Sequence, residues 1–210
     1  PKNDHFQLWQ ILTHMFMHGG FMHILFNMYA LWAFGTPLER MWGRNKFLFF
    51  YISAGLGAAL IHIGVNYYYY NAGMSALLDA GLSESNILEI INGGQYNTEW
   101  YKIAGQSTID NFLAAFNTPV VGASGAIYGI LVAYGMSYPE SELFLIFLPV
   151  PIKAKFFIPV LIALDLFSGV TGYSLFGQGI AHFAHVGGAL FGFLMMWYWK
   201  KNQFNKNRWN

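Results

Sequence analysis

The chain has no cysteine and very little charge. Without cysteine there is no disulfide, no thiol nucleophile and no thiolate metal site. Only 10% of the 210 residues are charged, against ~25% in an ordinary soluble domain. Eleven basic and ten acidic side chains do not coat a globule of this size, which argues against a cytosolic domain. The formal net charge of +1 lacks the basic surplus of a nucleic-acid binder, so no nucleic-acid partner is expected. What is abundant is apolar: 55% hydrophobic residues and 19% aromatic ones, which excludes a disordered chain. The composition is that of an all-α, polytopic transmembrane helix bundle.

The charge-free gaps show how such a bundle is laid out. No Asp, Glu, Lys or Arg occurs between Asp4 and Glu39, Lys46 and Asp79, Asp110 and Glu140, or Asp165 and Lys200. A transmembrane helix needs ~20 mainly apolar residues. Five spans are expected, at residues 20–36, 47–70, 120–138, 156–170 and 180–199. Tyr67, Tyr68, Tyr69 and Tyr70 close the second span as an interfacial belt would. The fourth is short and contains Asp165. Residues 5–19, rich in His, Met and Gln, read as a loop in the outer interface.

Lys and Arg set the orientation. Arg40, Arg44, Lys46, Lys153, Lys155, Lys200, Lys201, Lys206 and Arg208 fall on one side, nine of the eleven basic residues. That side is cytoplasmic, and residues 200–210 form a basic cytoplasmic tail. Residues 71–118 then form an extra-cytoplasmic loop insertion within a single domain of residues 1–210. Two short amphipathic helices are expected in it, Glu84–Asn92, started by Ser83 and stopped by Gly93-Gly94, and residues 108–116. The chain starts outside without a preceding span, so at least one more span is expected upstream of Pro1.

Polar residues inside spans are functional candidates. His23 and Asn27 lie four apart on the first span, Ser124 lies within Gly122-Ala123-Ser124-Gly125 on the third, and His185 lies on the fifth. Counted from the outer ends at 1.5 Å per residue, Ser124 and His185 both fall ~8–9 Å below the outer surface. His23 and Asn27 belong to the outer half of their span. A serine hydroxyl is a weak nucleophile until a base takes its proton, and neutral histidine does that. The tetrahedral intermediate needs donors at its oxyanion. The Asn27 amide, the His23 ring N–H and the Ser124 backbone N–H are the candidates. Gly125-x3-Gly129 and Gly188-x3-Gly192 are small-residue faces that let two helices approach closely. No carboxylate is placed at this level, so a Ser-His dyad is expected, with Tyr128 orienting the imidazole. Asp165 receives no catalytic role, and His182 is read as an auxiliary polar residue nearer the surface.

These residues carry a family resemblance. His14-x3-His18-x4-His23-x3-Asn27, Gly122-Ala123-Ser124-Gly125 with Tyr128, Ala184-His185-x2-Gly188-x3-Gly192 and Gly35-x3-Glu39-Arg40 occur in order on successive spans. The set resembles the rhomboid intramembrane serine proteases over the whole chain except residues 71–118. The family often has Trp-Arg in its first outer loop, where this chain has Trp9-Gln10. The resemblance implies Ser124 as nucleophile, His185 as general base, and His23 and Asn27 at the oxyanion, with Gly122, Gly125 and Tyr128 in support. It also implies a six-helix core whose first helix precedes Pro1. The activity implied is endopeptidase cleavage of single-span transmembrane proteins near the outer face of the lipid bilayer, without cofactor or metal. The location expected is a bacterial cell (inner) membrane, with the site open to the outside.

Hydrolysis within a membrane needs water at Ser124, which lipid does not supply. His14, His18, His23, Asn27 and His182 are expected to line a water-filled cavity, closed below by Leu131, Leu190 and Phe191, with residues 171–179 as its lid. Two other function classes stay open. His14, His18, His23, His182 and His185 are a ligand set for haem or a metal in a helix bundle. A rhomboid-like protein that binds membrane proteins without cutting them is the other.

Overall fold

The computed structural model describes residues 6–117, 119–145, 148–173 and 181–204. The architecture is a helical bundle, as the charge gaps require. Its helices in chain order are α1 (Gln10–Thr13), α2 (Phe21–Ala30), α3 (Thr36–Trp42), α4 (Arg44–Asp79), α5 (Glu84–Asn92), α6 (Glu99–Ala104), α7 (Gln106–Asn117), α8 (Ser124–Ser137), α9 (Ala154–Thr171) and α10 (His182–Trp199). A 3-10 turn at His14–Phe16 follows α1, and a π-helical turn at Leu31–Gly35 joins α2 to α3. An antiparallel hairpin of β1 (Glu142–Leu145) and β2 (Leu148–Lys153), absent from the sequence reading, separates α8 from α9.

By length and apolarity, α4 and α9 are each able to cross a membrane, and α8 is a shorter apolar helix of 14 residues. The expected third span, 120–138, is therefore helical only from Ser124. The reason is local: Pro119 lacks a backbone donor, and Gly122 adopts φ +127°. Irregular backbone at that depth is tolerated where protein covers it, and Gly122 and Ala123 are buried.

Contacts divide the chain into two compact units. One comprises residues 11–61 and 121–210 and contains every candidate site residue. Its core is Met15, Leu38, Phe50, Ala54, Ala126, Ile130, Ala133, Ile158 and Met196, all nearly inaccessible. Within it, the glycines of α8 and α10 face each other. A Cβ on Gly188 would collide with the Gly125 carbonyl oxygen, and one on Gly192 would come within 2.6 Å of Gly129 Cα. The sequence expectation of two small-residue faces in close contact is met at both pairs.

The direction of the helices is fixed by contacts at their ends. Lys200 donates to the Met136 carbonyl oxygen at 2.6 Å, joining the C-terminal ends of α8 and α10. The Lys46 ammonium lies 4.9 Å from the Trp199 ring at the same end of α10. Lys46 and Lys200 thus lie at one end, while Ser124 and His182, the first residues of α8 and α10, mark the other.

The other unit comprises residues 1–10 and 62–120, of which 6–10, 62–117 and 119–120 are described. The helix of the second span does not stop at Tyr70. Helix α4 continues to Asp79, because Ala72, Met74, Ala76, Leu77 and Leu78 are all helix formers and the stop comes only at Gly81, with φ +89°. There the Leu82 amide bonds back to the Leu77 carbonyl at 3.2 Å. The insertion is a helical unit with its own core of Tyr70, Met74, Leu77, Ile87, Ile91, Trp100, Ile109, Phe112 and Phe116. Gly73 has no side chain because Phe112 occupies that space. Helix α5 has the boundaries its sequence signals, with Ser83 Oγ accepting from the Asn86 amide at 3.4 Å. Helix α7 begins two residues before the expected 108 and ends one after 116.

Candidate active site

Ser124 is the first residue of α8, not a residue five positions inside a helix. That position matters chemically. The first amides of a helix have no partner within it, and the helix dipole places partial positive charge there. Its backbone N–H is therefore available to an oxyanion, and the hydroxyl stands on the same residue.

The hydroxyl meets His185. Ser124 Oγ lies 2.8 Å from His185 Nε2. Helix α10 brings the ring close because glycine contacts let it press on α8. A Cβ on Gly125 would come within 2.7 Å of Ala58 Cβ and 3.5 Å of the Ala184 carbonyl oxygen. Tyr128, one turn after Ser124, stacks on the His185 ring with centroids 4.3 Å apart and planes 11° from parallel. The expected contact between Tyr128 and the imidazole is present as a face-to-face stack.

His185 reaches further than expected. Its Nδ1 lies 3.1 Å from Asp165 Oδ1, and His182 Nδ1 lies 2.6 Å from the same oxygen. The Tyr128 hydroxyl donates to Asp165 Oδ2. The carboxylate side chain is 4% exposed, and those of His182 and His185 are 10% and 12% exposed. The premise that no carboxylate shares this level is thereby corrected. Asp165 lies six residues before the C-terminal end of α9, about 9 Å from it at the helical rise. Counting back from that end puts it beside Ser124 and His185. His182 is likewise no isolated surface residue but part of the same buried polar cluster. Gly169 makes the approach possible, since a Cβ there would lie 3.3 Å from His182 Cβ.

The oxyanion candidates lie on α2. The Gly19 amide donates to His23 Nδ1 at 3.3 Å. A neutral ring accepting at Nδ1 carries its proton on Nε2. A Cβ on Gly122 would lie 2.8 Å from that Nε2 and 3.6 Å from Ser124 Oγ, so both atoms face the same space beside Gly122. Gly122 is required twice, by its positive φ and by His23. Asn27 is buried and donates to the His23 carbonyl at 2.8 Å, which commits one of its two amide protons.

The outer loop is tied to this site by backbone. The Gly122 amide donates to the His14 carbonyl oxygen at 2.9 Å. The His18 ring stands edge-on to His23 at 5.2 Å, with its Nε2 enclosed and unpartnered among the described residues. Below, Leu131 is buried and Phe191 fills the space over Gly57, but Leu190 faces outward at 47% exposed and closes nothing. Residues 174–179 of the expected lid, and residues 205–210 of the basic tail, lie outside the described residues. The five histidines do not form one ligand set. Among the described residues, the His and acidic side chains with metal-ligand spacing are Asp165, His182 and His185, whose ligand atoms lie within 4.8 Å of one another.

Comparison with known proteins gives the family. The family model described as Rhomboid domain matches residues 5–202. The mitochondrial presenilin-associated rhomboid-like protein of Rattus norvegicus is 29% identical over 189 residues, covering 90% of this chain and 36% of that protein. The mitochondrial Rhomboid protein 1 of Saccharomyces cerevisiae is 26% identical over 192 residues, covering 91% of this chain and 42% of that protein. The Rhomboid protease GluP of Bacillus subtilis is 42% identical over 52 residues, covering 25% of this chain and 10% of that protein. This chain thus spans well under half the length of these relatives. No solved structure matches it. With the family model running across α2, α8 and α10 and every motif that carries the site, the chain belongs to the rhomboid family of membrane proteins.

Proposed function

We propose that the chain is an intramembrane serine endopeptidase that hydrolyses peptide bonds of single-span transmembrane proteins near the outer membrane face. The observation that carries this reading is the 2.8 Å approach of Ser124 Oγ to His185 Nε2 at the start of α8. Ser124 Oγ attacks the scissile carbonyl carbon while its proton passes to His185 Nε2. The carbonyl π pair moves onto oxygen, which is stabilised by the Ser124 N–H, the His23 Nε2–H and the Asn27 amide. Collapse of the intermediate expels the amine, which takes the proton from His185. Water then repeats the sequence on the acyl-enzyme. His14, His18, His23, Asn27 and His182, all toward the outer end, admit that water.

The name of the Bacillus subtilis relative describes a protease, which supports the chemistry. The rat and yeast relatives are named mitochondrial, which weighs against a bacterial membrane as the expected location. The proposal is confined to a membrane with the basic helix ends on one side and the site open to the other. Substrate is incubated with the full-length protein and with Ser124→Ala in detergent. Cleavage by the first and none by the second is expected. Equal cleavage by both removes the proposal, and no cleavage by either favours the non-cutting, rhomboid-like binder.

A further inference from the structure

Asp165 is an ionisable group that a Ser-His dyad leaves without work. Its carboxylate meets three polar partners. The Tyr128 hydroxyl donates to Oδ2, while His182 Nδ1 and His185 Nδ1 lie 2.6 Å and 3.1 Å from Oδ1. An ionised carboxylate has only acceptors. Each ring facing it must then present its proton at Nδ1. For neutral His185 this leaves Nε2 as a lone pair, 2.8 Å from Ser124 Oγ. The serine hydroxyl is thereby forced to be the donor, which is the direction a general base needs.

The opposite tautomer would be silent. With its proton on Nε2, His185 would donate to Ser124 Oγ and have nothing to take from it. The Tyr128 stack holds the plane of the ring. It contacts the ring face, however, and does not distinguish the two nitrogens. The Ser124 hydroxyl does not choose either, since it both donates and accepts. Asp165 is the contact that breaks the symmetry.

We propose that Asp165 is a positioning residue that fixes the tautomer of His185, so that the working unit is Ser124–His185–Asp165. His182 is the second donor on the same oxygen and holds the carboxylate in place. When the proton reaches Nε2, the ring carries a positive charge beside a buried negative one, and Asp165 stays ionised throughout. The catalytic consequence rests on the proposed function; the tautomer does not.

The competing account is a packing role, in which Asp165 and His182 tie α9 to α10 and the His185 contact has no effect on its proton. Nitrogen NMR of the full-length protein with 15N-histidine, at a pH where the rings are neutral, separates the two. The His185 signals are identified by their loss in His185→Gln. In the wild type, Nδ1 is expected to give a pyrrole-type signal and Nε2 a pyridine-type signal. In Asp165→Asn that preference is lost. In the same variant kcat falls steeply with KM little changed, toward the ~10⁴ loss that Asp→Asn causes in soluble Ser-His-Asp proteases. His182→Ala keeps the His185 pattern, because His185 holds its own bond to Oδ1.

A pyrrole-type Nε2 in the wild type overturns the proposal, as does an Asp165→Asn variant with unchanged signals and unchanged kcat. Should Asp165→Asn not fold, the wild-type spectrum alone decides. Should the wild type show the expected tautomer yet cleave nothing, the proposed function fails and the role of Asp165 stands.

Discussion

Single side chains in this protein do more than one task, and Gly122 and Asn27 show it most directly. Gly122 turns the chain at positive φ and leaves room for the His23 ring that a Cβ would strike. Asn27 holds the His23 carbonyl with one amide proton, and the proposed oxyanion role uses the other. Asn27→Ala is therefore expected to lower kcat by up to ~10²–10³, the loss for one oxyanion donor in a soluble serine protease. His23 and the Ser124 amide remain in that variant. Steady-state kinetics on one transmembrane substrate checks this, and unchanged kinetics in a combined His23→Ala, Asn27→Ala variant would remove the oxyanion assignment. The meeting of Ser124, His185, Tyr128 and His23 was legible because spacing along each helix and the paired glycines can be read on a one-dimensional chain. Asp165 was not, because its apolar stretch is short and its level shows only when counted back from the C-terminal end of α9. The contact among Asp165, His182 and His185 joins α9 to α10, and spacing along either helix alone does not contain it.

At the scale of elements, the contact between α8 and α10 holds the candidate nucleophile and base together. Gly188→Ala places a methyl group against the Gly125 carbonyl, and the backbone there has no slack to yield. Overpacking of a close-packed core costs about 1–3 kcal/mol. Gly188→Ala is thus expected to melt at lower temperature and to lose cleavage, since Ser124 and His185 are drawn apart. A variant with wild-type melting and activity would show that the helices tolerate separation.

The β1–β2 hairpin carries a second prediction. Exposed Glu140 is bonded to Lys153 at 2.8 Å and to Lys155 at 2.5 Å, and these hydrogen bonds lower its pKa from 4.5 to about 2. A carboxyl held below its ordinary value stabilises above that value and loses the effect as pH falls through the lowered one. Hairpin amides should therefore lose hydrogen-exchange protection between pH 4.5 and about 2, and Glu140→Gln should abolish that pH dependence. Protection that is flat with pH in the wild type would contradict the tie. This hairpin escaped the sequence reading because Pro149 and Pro151 mark β2 as a poor strand, and prolines are tolerated only at an edge. Helix α4 runs on into the expected insertion. An aromatic belt marks a membrane surface, not the end of a helix, and α4 runs past Tyr70 to the next true stop.

For the whole molecule, the charge gaps were enough to give a helical membrane bundle, because the cost of burying charge in lipid acts on every residue alike. The account stands or falls on one claim, that Ser124 is a nucleophile made reactive by His185. A fluorophosphonate probe tests this without knowledge of the natural substrate, because it reacts with the activated serine itself. Full-length protein is treated with the probe in detergent, and the modified residue is located by peptide mass spectrometry. The account predicts a single adduct at Ser124 in the wild type and none in Ser124→Ala or His185→Ala. An adduct at another residue, or undiminished labelling of Ser124 in His185→Ala, would contradict it.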